Sequence, residues 1–271
     1  MLPIDEYIRK QLNGHVEKLE KELGVDVLSI ISPILPGLEN TVRDVLDRLS
    51  ARKRGLAIIL DTAGGIVEVV ERMVNTIRHY YPDEVLFIVP NRAMSAGTVF
   101  VMSGDRILMD NFSCLGPIDP QIEKDGKLVP ALSYLNQFEA LNKKAQEGLL
   151  TSAEYALLSK LDLGELYQFE QARALSRELL INWLSTYKFK DWDRTETRGI
   201  KVTTRFKRKR AASVADRLGK SDRWHSHGRG INMRTLVDDV KLRIEDYTMM
   251  GNVGKTVREY YELMLDYIRR Q

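Results

Sequence analysis

One serine, Ser95, stands in the run Arg92-Ala93-Met94-Ser95-Ala96-Gly97-Thr98, just after the strand-like residues 85–89. A second strand-like run, 56–60, ends in Asp61-Thr62-Ala63-Gly64-Gly65. Two strand ends can thus bring a hydroxyl and a backbone anion site to one place. Acyl hydrolysis needs both: a nucleophile for the carbonyl, and preorganised N–H donors for the oxyanion that forms. Glycine suits the second task because no Cβ obstructs close approach of the substrate. A serine in a small-residue turn is, taken alone, more commonly a helix cap. The pairing with Gly64-Gly65 therefore carries the chemical reading.

Other chemistries find less support. There is no Gly-x-x-x-x-Gly-Lys-[Ser/Thr] element and no Gly-x-Gly-x-x-Gly. Gly251-Asn252-Val253-Gly254-Lys255-Thr256 ends like a phosphate loop but lies between two helical segments, where an interhelical turn is the simpler reading. His225 and His227 stand two residues apart, with Asp222 nearby, too few ligands for a metal site. No metal and no organic cofactor is expected. Trp224 beside them reads as a packing anchor.

The elements that must position Ser95 follow from periodicity. Residues 5–23 read as a charged, exposed helix with Leu12, His15, Val16 and Leu19 at helical spacing. A first strand is expected over 25–31, then a helix over 41–52 capped by Asn40. Residues 56–60 are continuously apolar, as a strand buried on both faces should be. A helix over 66–80, the strand 85–89, a helix opening near Ser95 and a strand at 107–109 complete an alternation that predicts parallel strands with right-handed crossovers. After Gly116-Pro117-Ile118-Asp119-Pro120 helices are expected over 131–148, 151–187, near 211–218, 233–246 and 254–270. The chain divides into a core, 1–130, and a helical section, 131–271, carrying a basic insertion at about 188–230.

The 271 residues are 44% hydrophobic and 29% charged, ordinary for a soluble protein able to bury a sizeable core. The lone Cys114 excludes an intrachain disulfide or a thiolate zinc cluster and suits a reducing compartment. The N-terminus lacks the basic-then-apolar pattern of a signal peptide, and no run approaches the ~18 apolar residues of a membrane span. A cytoplasmic location without membrane contact is expected. Charge is uneven: 188–230 holds 14 Lys/Arg against 5 Asp/Glu, so this segment is +9 and the remainder −6 within a net +3. Its densest part lies within 201–210. A solvated basic loop is the favoured reading, with an acidic partner or nucleic acid as the alternative.

Four segments together resemble the serine dehydrogenase proteinase family, relatives of signal peptide peptidase A on the Clp-protease/crotonase superfold. They are 60–65, 90–98, Leu115-Gly116-Pro117-Ile118-Asp119-Pro120-Gln121, and Trp224-His225-Ser226-His227-Gly228-Arg229. The resemblance implies an α/β fold with a parallel sheet of the Clp/crotonase type and a C-terminal helical section. It implies a serine peptidase that hydrolyses peptide bonds through an acyl-enzyme on Ser95. The N–H groups of Gly65 and Ala96 would line the oxyanion site, with Gly64 shaping the turn. It also implies a homo-oligomer, with the N-terminal helix or the long helix after 151 packing between subunits.

The general base stays open. Clp-type peptidases place a histidine about two dozen residues after the serine, where this chain has Ile118-Asp119-Pro120. Signal peptide peptidase relatives use a lysine, and the matching region Pro130-Ala131-Leu132-Ser133 offers none. Ser133 itself could hydrogen-bond Ser95 or the substrate. His227 folding back over the core, oriented by Asp119, is one base; Lys143 or Lys144 is the other. Against both stand structural roles, a loop-bonding imidazole for His227 and a turn before Pro120 for Asp119. The missing standard base also leaves room for an inactive scaffold that binds a protein or nucleic-acid partner. A crotonase-like acyl-CoA enzyme is a third reading, weakened because those enzymes do not need a serine in this context.

Overall fold

The computed structural model describes residues 3–124 and 127–270, with the side chains of 121–124, 127–130, 132–133 and 221–222 outside the description. The first half runs α1 (Pro3–Leu23), β1 (Asp26–Ile31), α2 (Leu38–Asp47), β2 (Gly55–Asp61), α3 (Val67–Tyr80) and β3 (Glu84–Ile88). It continues through β4 (Arg92–Ala93), α4 (Ala96–Val101), β5 (Arg106–Met109) and β6 (Cys114–Leu115). A hairpin of β7 (Gln121–Lys124) and β8 (Lys127–Pro130) leads into α5 (Ala131–Gln146), α6 (Ser152–Leu158) and α7 (Leu163–Trp183). The last part holds α8 (Thr204–Leu218), α9 (Ser221–Trp224), β9 (Ile231–Asn232), α10 (Met233–Asp238), β10 (Glu245–Asp246) and α11 (Val253–Arg270).

The apolar runs form the centre of a parallel sheet in the order β1-β2-β3-β5-β10. Alternation along the strands sends Ile58, Leu60, Val85 and Phe87 to one face and Ala57, Ile59, Leu86 and Ile88 to the other. The first face packs against α2, α3, α4, α7 and α8. The second is covered by α1 and α11. This is the α/β fold expected, with helices on both faces. Helices α8, α10, α11 and the end of α7 share its core, while α5 and the start of α7 form a cluster of their own, and β9 and β10 join its two main sheets. No helix among the described residues is long and apolar enough to cross a membrane.

Several expectations need correction. Helix α2 starts at Leu38, so Asn40 lies inside it, and the cap position is Gly37 in a left-handed conformation at φ 100°. The stretch 151–187 is two helices, because Thr151 forms a capping box with Glu154 and Asp162 caps α7 through the Gly164 and Glu165 N–H groups. The expected helix 233–246 stops at Asp238, and its tail supplies β10, the edge strand beside β5. Helix α1 is not an exposed arm: Ile8, Leu12 and Leu19 are buried between the sheet and α11.

The basic run is helical, not a loop. It forms the first turns of α8, and three of its side chains hold backbone or amide groups of neighbouring segments. Lys207 donates to the Lys190 carbonyl (2.6 Å), Arg208 to Asn182 Oδ1 (3.1 Å), and Arg210 to the carbonyls of Val240 and Lys241 (2.8 and 2.7 Å). Arg205 and Lys209 remain exposed.

A buried ion pair fixes the start of β3 against β5. Arg78 lies 2.8 Å from Asp105 Oδ2, both side chains under a tenth exposed, and Asp105 accepts from the Val85 N–H (2.7 Å). Burial works to raise the Asp105 pKa, but Lys190, the Val85 N–H and Arg78 overcome it and hold the carboxyl low. Stabilisation from a depressed carboxyl is complete above the unfolded-state value of about 3.9 and is lost as pH falls below it. Asp105→Ala should cost about 3–5 kcal/mol by urea unfolding at pH 7, since Arg78 then stays buried without its counter-charge. The gap between wild type and variant should narrow at pH 3.

Candidate active site

The two strand ends do meet. Past Asp61 the backbone of β2 continues to pair with β4: Thr62 N donates to the Arg92 carbonyl (3.0 Å) and Met94 N to the Thr62 carbonyl (3.1 Å). This lays the glycine turn against the serine turn. A Cβ on Gly64 would lie 2.8 Å from the Met94 oxygen and 2.9 Å from Ser95 Cβ. Gly64 and Gly65 have φ values of 106° and 148°, which side-chain-bearing residues rarely adopt.

Ser95 occupies the N-cap position of α4 but does not cap it with its side chain. The capping explanation for this residue therefore fails, and its half-buried hydroxyl has no hydrogen-bond partner among the described residues. Its backbone sits at φ 50° and ψ −117°, a conformation costing about 1–3 kcal/mol for a residue with a Cβ. Neighbouring groups over-determine it. Gly97 N donates to the Met94 carbonyl (2.7 Å), and a Cβ on Gly97 would strike Thr62 Cγ2 at 2.4 Å. The buried Thr98 hydroxyl lies 2.7 and 2.9 Å from the carbonyls of Ala93 and Gly116 and accepts from Gly116 N (2.8 Å). Thr98 and Gly116 are the positioning residues that sequence reasoning missed. Their only signal was membership of the quoted motifs.

The donor arrangement is selective. Gly64 N is occupied by Thr62 Oγ1 (3.1 Å), whereas neither Gly65 N nor Ala96 N has a partner among the described residues. Two free donors thus flank the serine turn, and the third is spent on turn geometry.

The histidine arrives by strand register. Strand β4 pairs in parallel with β6, and β6 pairs antiparallel with β9. Ser95 lies two residues beyond β4, at the same end of this small sheet as the segment leaving β6. A Cβ on Gly116 would stand 2.9 Å from Ser95 N. Counting four residues out from the Leu115–Ile231 pair in each direction reaches Asp119 and His227. Their side chains meet: His227 Nδ1 is 2.9 Å from Asp119 Oδ1, with Asp119 1% and His227 22% exposed. Trp224 anchors the turn on α8, its indole donating to the Arg217 carbonyl (3.0 Å). No hydrogen bond joins Ser95 Oγ to the imidazole in this structure.

The other candidates are placed differently. Lys143 and Lys144 lie on the solvent side of α5, 77% and 50% exposed, paired with Glu147 (4.0 Å) and Glu154 (2.5 Å). Lys144 and Thr151 draw the Glu154 pKa down to about 2. His225 is exposed in a left-handed turn at φ 61°. No metal-holding group of three His, Cys, Asp or Glu occurs among the described residues. The side chains of Ser133 and Asp222 lie outside them.

The ClpP-like SDH-type serine proteinase family matches residues 23–204, about two-thirds of the chain and all of the serine and glycine turns. The chain belongs to this family. Two uncharacterized proteins of Methanocaldococcus jannaschii are similar to this chain. One is 35% identical over 110 residues, covering 40% of this chain and 37% of its own. The other is 24% identical over 199 residues, covering 69% of this chain and 64% of its own. The chain thus spans less than two-thirds of either relative. The chain is also similar to two solved structures of the 1510-N membrane-bound stomatin-specific protease, a serine-to-alanine variant and a lysine-to-alanine variant in complex with a substrate peptide. Each is 13% identical with a TM-score of 0.44, covering 81% of this chain and 77% or 73% of the other.

Proposed function

We propose that this SDH-type proteinase hydrolyses peptide bonds through an acyl-enzyme on Ser95, with His227 as general base and Asp119 orienting it. The observation that carries this reading is the Asp119–His227 pair, set by strand register at the end of the sheet where Ser95 holds a free hydroxyl between two free N–H donors. Ser95 Oγ attacks the substrate carbonyl carbon while His227 Nε2 takes its proton. The oxyanion of the tetrahedral intermediate is met by the Gly65 and Ala96 N–H groups. Asp119 stabilises the imidazolium through Nδ1–H. His227 then returns the proton to the departing amine, leaving an ester on Ser95. Water, deprotonated by the same imidazole, cleaves that ester and regenerates the serine.

Self-association belongs to the same reading. Leu149, Tyr155, Leu157, Leu163 and Tyr167 are each at least 60% exposed from the turn before α6 to the start of α7, more apolar surface than a solvated arm needs. The lone half-buried Cys114 fits a cytoplasmic setting. Comparing acylation rates separates the two bases. His227→Ala should slow acylation by a fluorophosphonate about 10²- to 10⁴-fold, while Lys143→Ala and Lys144→Ala leave it unchanged. An unchanged rate in His227→Ala, or a collapse in either lysine variant, overturns the assignment.

A further inference from the structure

A cavity of about 700 Å³ opens at the other end of the sheet, beside the first residues of β5 and β10, Arg106 and Glu245. Its size suits a small organic ligand. One wall is aromatic: Phe189, Trp192 and Phe206 stack edge to face with ring centres 5.6 and 5.5 Å apart. Most of the charge around it is spent on the protein itself. Glu245 takes three hydrogen bonds from Arg106 (2.7–3.2 Å), and Arg210 is held by the carbonyls of Val240 and Lys241.

Three cations are left over. Lys188, Lys241 and Arg243 line the cavity with side chains that make no hydrogen bond or ion pair to any described residue. The free carboxylates, Asp191 and Glu196, are exposed. Lys188 ends a π-helical turn, Leu184–Lys188, in which Phe189 N reaches back to the Leu184 carbonyl (2.9 Å). Such turns cost regular hydrogen bonding and recur at functional sites. Burial lowers the Lys188 pKa to about 8, so the cation is retained with no bonded counter-charge.

We propose that this cavity binds a small aromatic anion, its ring against Trp192 and its anionic group on Lys188 and Arg243. The site is separate from Ser95 and does not depend on the peptidase reading. The test is a fluorescence titration of the full chain with anilinonaphthalene sulfonate, itself an aromatic anion, followed by displacement with AMP and with indole carboxylate. One saturable site is expected, weakened roughly tenfold or more in Lys188→Met by loss of a charge-assisted contact. Arg243→Ala, at an exposed position, should weaken it in the same direction, and fluorophosphonate labelling should be unaffected in both. Displacement by AMP would identify the anion as a phosphate, and by indole carboxylate as a carboxylate. Non-saturable binding, equal affinity in both variants, or displacement by neither competitor would overturn the proposal.

Discussion

Ser95→Ala should lower peptide hydrolysis by about 10⁴-fold or more, because the proposed nucleophile, base and orienting acid would act as a unit. The fold should survive, since the Ser95 side chain neither caps α4 nor bonds a neighbour. Ser95→Gly should be as inactive yet at least as stable. At φ 50° and ψ −117° glycine relieves about 1–3 kcal/mol of backbone strain, partly offset by its larger unfolded-state entropy. Peptidase assays paired with thermal melts check both halves. A Ser95→Gly variant clearly less stable than Ser95→Ala would refute the strained-turn account.

The second large effect is expected at Gly64, which lies against Ser95 while its own N–H is spent on Thr62 Oγ1. In Gly64→Ala the new Cβ would sit 2.8 Å from the Met94 carbonyl and 2.9 Å from Ser95 Cβ, at a backbone φ of 106°. Either turn must move by several tenths of an ångström. A shift approaching 1 Å at the reacting group costs roughly 10²-fold in rate. Destabilisation of about 1–3 kcal/mol should accompany it, from the left-handed backbone alone. The discriminating readout is the ratio of the two: acylation should fall much further than the stability loss explains. Wild-type acylation by Gly64→Ala would show that the two turns are not coupled.

The central strands were legible because burial on both faces leaves a continuous apolar run, as in 56–60. The serine turn was legible because small residues must surround a backbone this tightly packed. Gly97 and Gly116 make such close contacts, with Thr62 and with Met94 and Ser95. The Asp119–His227 pairing was only one of two open options in the sequence, since it depends on β6 and β9, strands two residues long. Elements that short carry no periodicity. The same limit hid β10, whose Glu245-Asp246 has no strand character and is placed by the Arg106 ion pair and its edge position. The β7–β8 hairpin had a signal, the Asp-Gly pair at 125–126. The basic run misled because charge density suggests a solvated loop, whereas Lys207, Arg208 and Arg210 use long stems to reach distant acceptors.

The most direct measurement is fluorophosphonate labelling of the intact protein, with the modified residue located by mass spectrometry. An adduct on Ser95, absent from Ser95→Ala and much slowed in His227→Ala, is the predicted result. A folded protein that takes no label, or takes it at another serine, would contradict the account.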